Sequence, residues 1–68
     1  MTSFSNNLKS LRLERHLSQK ALASALGTTN SSVCDWERGR SQPDLDHLSK
    51  IADYFDVSCD YLLGRKEY

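Results

Sequence analysis

The stretch 25-ALGTTNSSVCDWERG-39 decides how the chain folds. Ala25 and Leu26 close one apolar run, and Gly27 breaks it. Thr29 stands where a helix begins, its hydroxyl suited to accept a backbone N–H of the first turn. From there Val33 and Trp36 recur three apart on one side, which leaves Asn30, Ser31, Cys34 and Asp35 for the other. Gly39 ends the segment through the left-handed backbone that glycine adopts without a Cβ penalty. The reading is a short helix anchored by Val33 and Trp36, whose first turn presents small hydrogen-bonding side chains outward.

Working outward, Ser18 caps a second helix that runs to about Leu26, with Leu22, Ala25 and Leu26 on one face. Only Gly27 and Thr28, give or take a residue, join it to the next helix. So short a connection makes the two helices cross steeply over about residues 18–38, the geometry of a helix-turn-helix. Ala23 is small because it lies where these helices face each other. Upstream, a helix from about Asn6 to Arg15 places Leu8, Leu11 and Arg15 on one side. Downstream, 40-RSQPD-44 is a loop, and Pro43 and Asp44 open a helix whose stripe of Leu45, Leu48, Ile51, Ala52 and Phe55 is expected to be core. Ser58 caps a last turn or two, 59-CDYLLG-64, with Asp60 near its positive end and Gly64 as the stop. No segment alternates apolar and polar residues long enough to be a strand. The expectation is an all-α chain forming one domain over residues 1–68, free of repeats.

At 68 residues the chain lies near the lower size at which a lone apolar core outweighs chain entropy. Its apolar residues are not gathered into a membrane-length run, and 1-MTSFSNN-7 has neither a basic nor an apolar targeting region. A cytoplasmic protein is expected. Cys34 and Cys59 stand 25 positions apart with no CxxC and no histidine spaced as a zinc partner. They are expected to be buried or half-buried free thiols, with no metal or cofactor, and His16 and His47 to be isolated. Formal charge sums to zero, but its distribution is uneven. Residues 1–40 hold six basic against three acidic side chains and residues 41–68 three against six, a dipole that orients a small protein toward nucleic acid. Neither paired carboxylates, a Gly-rich phosphate loop nor a nucleophile with its base is visible, so no enzyme is expected.

The spacing Gln19, Ala23, Gly27, Val33, Trp36 sits inside a longer pattern. Over 8-LKSLRLERHLSQKALASALGTT-29, 32-SVCDWERGRSQPDLDHLSKIADYF-55 and 56-DVSCDYLLG-64 the sequence resembles the Cro/C1-type helix-turn-helix proteins, the lambdoid phage repressors and their bacterial relatives. Ser-Gln opening helix two, WERG closing helix three, proline at helix four and YLLG at the end make the resemblance specific. It implies a compact five-helix bundle whose third helix enters the DNA major groove. It further implies a sequence-specific transcriptional regulator, a phage or prophage-type repressor bound as a dimer to a palindromic operator, with no small-molecule ligand. The competing reading of the same fold is an antitoxin or adaptor whose partner is another protein.

Residue chemistry supplies candidates for each role. Asn30 carries an amide able to bond adenine N6 and N7 together, and Ser31 donates or accepts. Thr29 offers a hydroxyl to phosphate or a methyl to thymine. Asp35 departs from the family, where glutamine or a base is common; its carboxylate accepts from cytosine N4 but repels phosphate. For the DNA backbone the candidates are Gln19, in the first turn of helix two as in the family, with Lys20, Arg38, Arg40, Ser41 and Gln42. The family also implies an ion pair between Arg12 and Glu37. Val57, Tyr61, Leu62 and Leu63 offer more apolar area than a short helix needs and are the expected dimer surface.

Overall fold

Hydroxyls and one carboxylate set where the helices begin. The computed structural model describes residues 3–66, apart from the side chain of Ser3, and Glu67 of the acidic half lies outside that range. It contains five helices: α1 (Ser3–Glu14), α2 (Gln19–Leu26), α3 (Asn30–Arg38), α4 (Leu45–Phe55) and α5 (Cys59–Leu62). Ser18, Thr29, Asp44 and Ser58 stand before α2 to α5 in extended backbone, and each side chain accepts the N–H of the residue three further on.

The helices also end alike. His16, Gly27, Gly39, Asp56 and Gly64 all have positive φ. In each case the next residue's N–H reaches back to a carbonyl five positions earlier: Leu17 to Arg12, Thr28 to Ala23, Arg40 to Asp35, Val57 to Ala52 and Arg65 to Asp60, at 2.8–3.1 Å. At Gly39 an added Cβ would lie 3.6 Å from Ser5 Oγ, an ordinary contact, so the φ of 76° and not lack of space asks for glycine.

The core is shared by all five helices, with Leu8, Leu22, Val33, Ile51 and Leu62 fully buried. Helix α1 and the residue just after it tie α3, α4 and α5 together by donating to carbonyls at their ends, where intrahelical partners run out. Ser5 Oγ donates to Trp36 O at 2.8 Å. Asn7 Nδ2 donates to Tyr61 O at 2.9 Å and Leu62 O at 3.3 Å. Arg15 reaches Tyr54 O and Phe55 O at 3.1 and 3.2 Å while its guanidinium lies over both aromatic rings.

Several expectations are corrected. Helix α1 starts at Ser3, not Asn6, because Phe4 and Ser5 extend its buried stripe. Arg15 lies beyond its end and belongs to the closure of α4. On α2 the inward face is Leu22, Ala23 and Leu26, whereas Ala25 is exposed. Leu45 is 83% exposed at the first position of α4, so the core stripe starts with the half-buried Leu48. Cys59 is exposed and Cys34 half-buried. His47 is not isolated: its ring packs against Trp36 at 5.7 Å between centroids. Among the described residues no helix is long and apolar enough to cross a membrane.

Asp44 carries a pH dependence. The backbone N–H of His47 donates to Asp44 Oδ1 at 2.8 Å and the His47 ring Nδ1 lies equally close, and the first of these does most to hold the carboxyl below its ordinary value. A carboxyl depressed on folding stabilises fully above its unfolded pKa and ceases to do so as pH falls through the folded one. Asp44→Asn, which keeps a capping oxygen but does not titrate, should therefore flatten the acid limb of a plot of melting temperature against pH, with its loss relative to the native chain greatest at neutral pH and vanishing below the usual carboxylate range, where Asp44 is itself protonated.

Candidate nucleic-acid interface

Helices α2 and α3 are joined by Gly27–Thr29, and the closure at Gly27 turns the chain so that α3 lies across α2. Val33, Trp36 and Glu37 of α3 are buried. The opposite side starts with Thr29, Asn30 and Ser31, all exposed, and continues through the half-buried Cys34 and Asp35 to the exposed Arg38. The Thr29 hydroxyl is engaged twice, accepting from Ser32 N at 3.1 Å and donating to Ser32 Oγ at 3.0 Å, so its methyl is what it has left to offer a ligand. Among the described residues Asn30 and Ser31 have no such internal engagement. They form a polar tip on a helix whose other side is locked.

Lys20, Arg38, Arg40, Ser41 and Gln42 are exposed, the last four at and beyond the carboxyl end of α3. Arg40 N is held by Asp35 O at 2.9 Å, which fixes the backbone from which its side chain projects. Gln19 is half-buried, and its Nε2 donates to Glu37 Oε1 at 3.1 Å, a contact the sequence reading did not contain.

Arg12 and Glu37 meet as a two-pronged ion pair, Nε to Oε2 at 2.6 Å and Nη2 to Oε1 at 3.0 Å, at residues only 8% and 7% exposed. The third prong, Arg12 Nη1, donates to Leu17 O at 2.7 Å, immediately before the cap of α2. One guanidinium thus connects α1, the start of α2 and the end of α3. Because Arg12 neutralises Glu37, the exposed charge around α3 is set by Lys20, Arg38 and Arg40 against the single half-buried Asp35.

Toward α5, Val57 and Tyr61 are half-buried and Leu63 is 47% exposed. With Asp56, Ser58, Asp60 and Lys66, the first two line an open cleft of about 460 Å³. Leu62 is 0% exposed and serves the core, so the expectation that it faces outward is corrected: α5 is so short that its one inward position is needed to close the bundle. Among the described residues no three His, Cys, Asp or Glu side chains gather as a metal site.

The profile of the helix-turn-helix family matches residues 8–62. An uncharacterized HTH-type transcriptional regulator of Bacillus subtilis, YqaE, is 42% identical over 60 residues, which are 88% of this chain and 52% of that protein. The chain spans about half the length of the curated relatives it matches first. Among solved structures, the P22 c2 repressor in complex with synthetic operator 9T superposes with a TM-score of 0.87 at 25% identity, over 93% of this chain and 96% of that one. Hydroxypropylphosphonic acid epoxidase from S. wedmorenis gives a TM-score of 0.80 at 35% identity, over 91% of this chain but only 33% of that enzyme.

The burial of the ion pair yields a stability test. Arg12→Met leaves the Glu37 carboxylate buried and unpaired and should cost about 3 to 5 kcal/mol in chemical denaturation. Adding Glu37→Leu should recover most of that loss, because an apolar pair of similar volume needs no counter-charge.

Proposed function

Because the chain belongs to the Cro/C1-type helix-turn-helix family, we propose that it binds double-stranded DNA sequence-specifically and regulates transcription as a phage-type repressor occupying an operator. The observation that carries this reading is the exposed polar tip of α3, held rigid by the buried Val33, Trp36 and Glu37 beneath it. An α-helix fits the major groove, and the first turn of α3 is where base edges come within reach. Asn30 is the principal reader, with its amide on adenine. Ser31 tolerates either a donor or an acceptor, Asp35 accepts from cytosine N4, and the Thr29 methyl lies against thymine. Lys20, Arg38, Arg40, Ser41 and Gln42 take the flanking phosphates, together with Gln19 and the unpaired N–H groups at the start of α2.

A module this small reads few bases, and each good bidentate contact discriminates by about 1 to 3 kcal/mol. Two copies on a palindrome supply the rest, with half-sites about 34 Å apart. Val57, Tyr61 and Leu63 are the surface through which the copies meet, and Leu62 supports it from inside. The whole chain acts as one reading domain in the cytoplasm, without catalysis and without a cofactor. That the P22 c2 repressor is solved on an operator supports the DNA reading.

Selecting bound oligonucleotides from a random pool tests the proposal directly. In the recovered site Asn30→Ala should relax preference at one base pair. Arg40→Ala should weaken all sequences alike and lower the slope of log affinity against log salt by about 0.9. Equal effects from both substitutions would refute the division of roles, and light scattering that finds one copy per operator would refute the dimer.

A further inference from the structure

We propose that Glu37 is a positioning residue for DNA binding, acting through Gln19 and not by touching the nucleic acid. The inference rests on the reading above, in which the start of α2 meets a phosphate. Glu37 is too buried to reach DNA, and its charge is of the wrong sign for it. Three hydrogen bonds nevertheless converge on its carboxylate: Arg12 Nε on Oε2, and Arg12 Nη2 and Gln19 Nε2 on Oε1. Arg12 already neutralises the charge and occupies both oxygens. The bond from Gln19 therefore contributes little to compensating Glu37, and its effect falls on the glutamine.

A glutamine amide has two Nε2–H groups. One is committed to Glu37, and the second has no partner among the described residues. It belongs to a half-exposed side chain at the first position of α2, where the backbone N–H groups of Gln19 and Lys20 lie too early in the helix to find intrahelical acceptors. A loose glutamine surrenders its rotamer freedom when it closes on a phosphate, whereas one already held does not. Glu37 lies in the last turn of α3 and Asn30 in its first. The helix that presents the base-reading amide thus also fixes the amide offered to the backbone, so the two contacts keep one spacing.

Operator affinity measured by fluorescence anisotropy for four proteins tests this: the native chain, Gln19→Ala, Arg12→Met with Glu37→Leu, and the combination of all three changes. In the native background Gln19→Ala should weaken binding about tenfold, the order expected for one ordered polar side chain. With the carboxylate gone the same substitution should cost markedly less, because Gln19 is then already loose. Equal losses in both backgrounds, or none in the native one, overturn the proposal. Circular dichroism checks that each variant folds. Should the apolar pair not fold, relaxation of the Gln19 side-chain amide in the native protein without DNA decides instead: an order parameter above about 0.6 supports a held amide and a lower one overturns it. Absence of any DNA complex with the native chain counts against the proposed function, while the amide relaxation still reads the Glu37 contact by itself.

Discussion

A buried ion pair is a costly thing to place in so small a protein, and the arrangement of this one depends on it. Removing two charges from water is repaid only when geometry is good and further hydrogen bonds satisfy the groups left over. Arg12 meets that condition by splitting its guanidinium between Glu37 and the carbonyl of Leu17. Any shift of α3 along α1, or of the α1–α2 connection away from either, would break one of these bonds while its partner stays buried. Greasy contacts between Leu8, Leu22 and Val33 tolerate sliding far better than charges do. The pair therefore selects one alignment of three helices out of several that apolar packing alone would accept.

The remaining helix ends follow the same economy. With short connections and short helices, a large share of the backbone groups are terminal ones lacking intrahelical partners. The chain satisfies the amino ends with the residue just outside each of α2 to α5, and the carboxyl ends with a left-handed residue plus donors from α1 and the turn that follows it. Ser5, Asn7 and Arg15 each serve a different helix. The polar tip of α3 stays exposed because the hydrogen-bonding demands of its own backbone are met by Thr29 and by the closure at Gly39, leaving Asn30 and Ser31 uncommitted.

What could be read in the sequence were the features settled within a few residues. Ser18, Thr29, Asp44 and Ser58 announce themselves as caps, Gly27 and Gly39 as stops, and Val33 with Trp36 as an inward face, because each depends on its own neighbourhood. Leu45, Ala25 and Leu62 depart from the local pattern because their burial depends on which distant helix lies opposite. Leu45 sits on the core side of α4 by periodicity but is 83% exposed at its first position, and Leu62 is drawn inward because α5 packs against both α1 and α4. Arg12 and Glu37 were legible only through resemblance to a family, since no local pattern links positions 25 apart. The Gln19 contact had no signal at all: a glutamine after a capping serine looks the same whether its amide faces solvent or a carboxylate.

Asn7, near the front of the chain, donates to carbonyls of α5, 54 and 55 positions later. During synthesis α1 leaves the ribosome first and α5 last of the five, so the first helix waits until the other four have emerged for its acceptors and for the apolar side chain of Leu62. Closure of the core at Leu62 consequently follows emergence of the α5 segment, and a chain stalled before that point leaves the surfaces of α1 and α4 that α5 covers open to water.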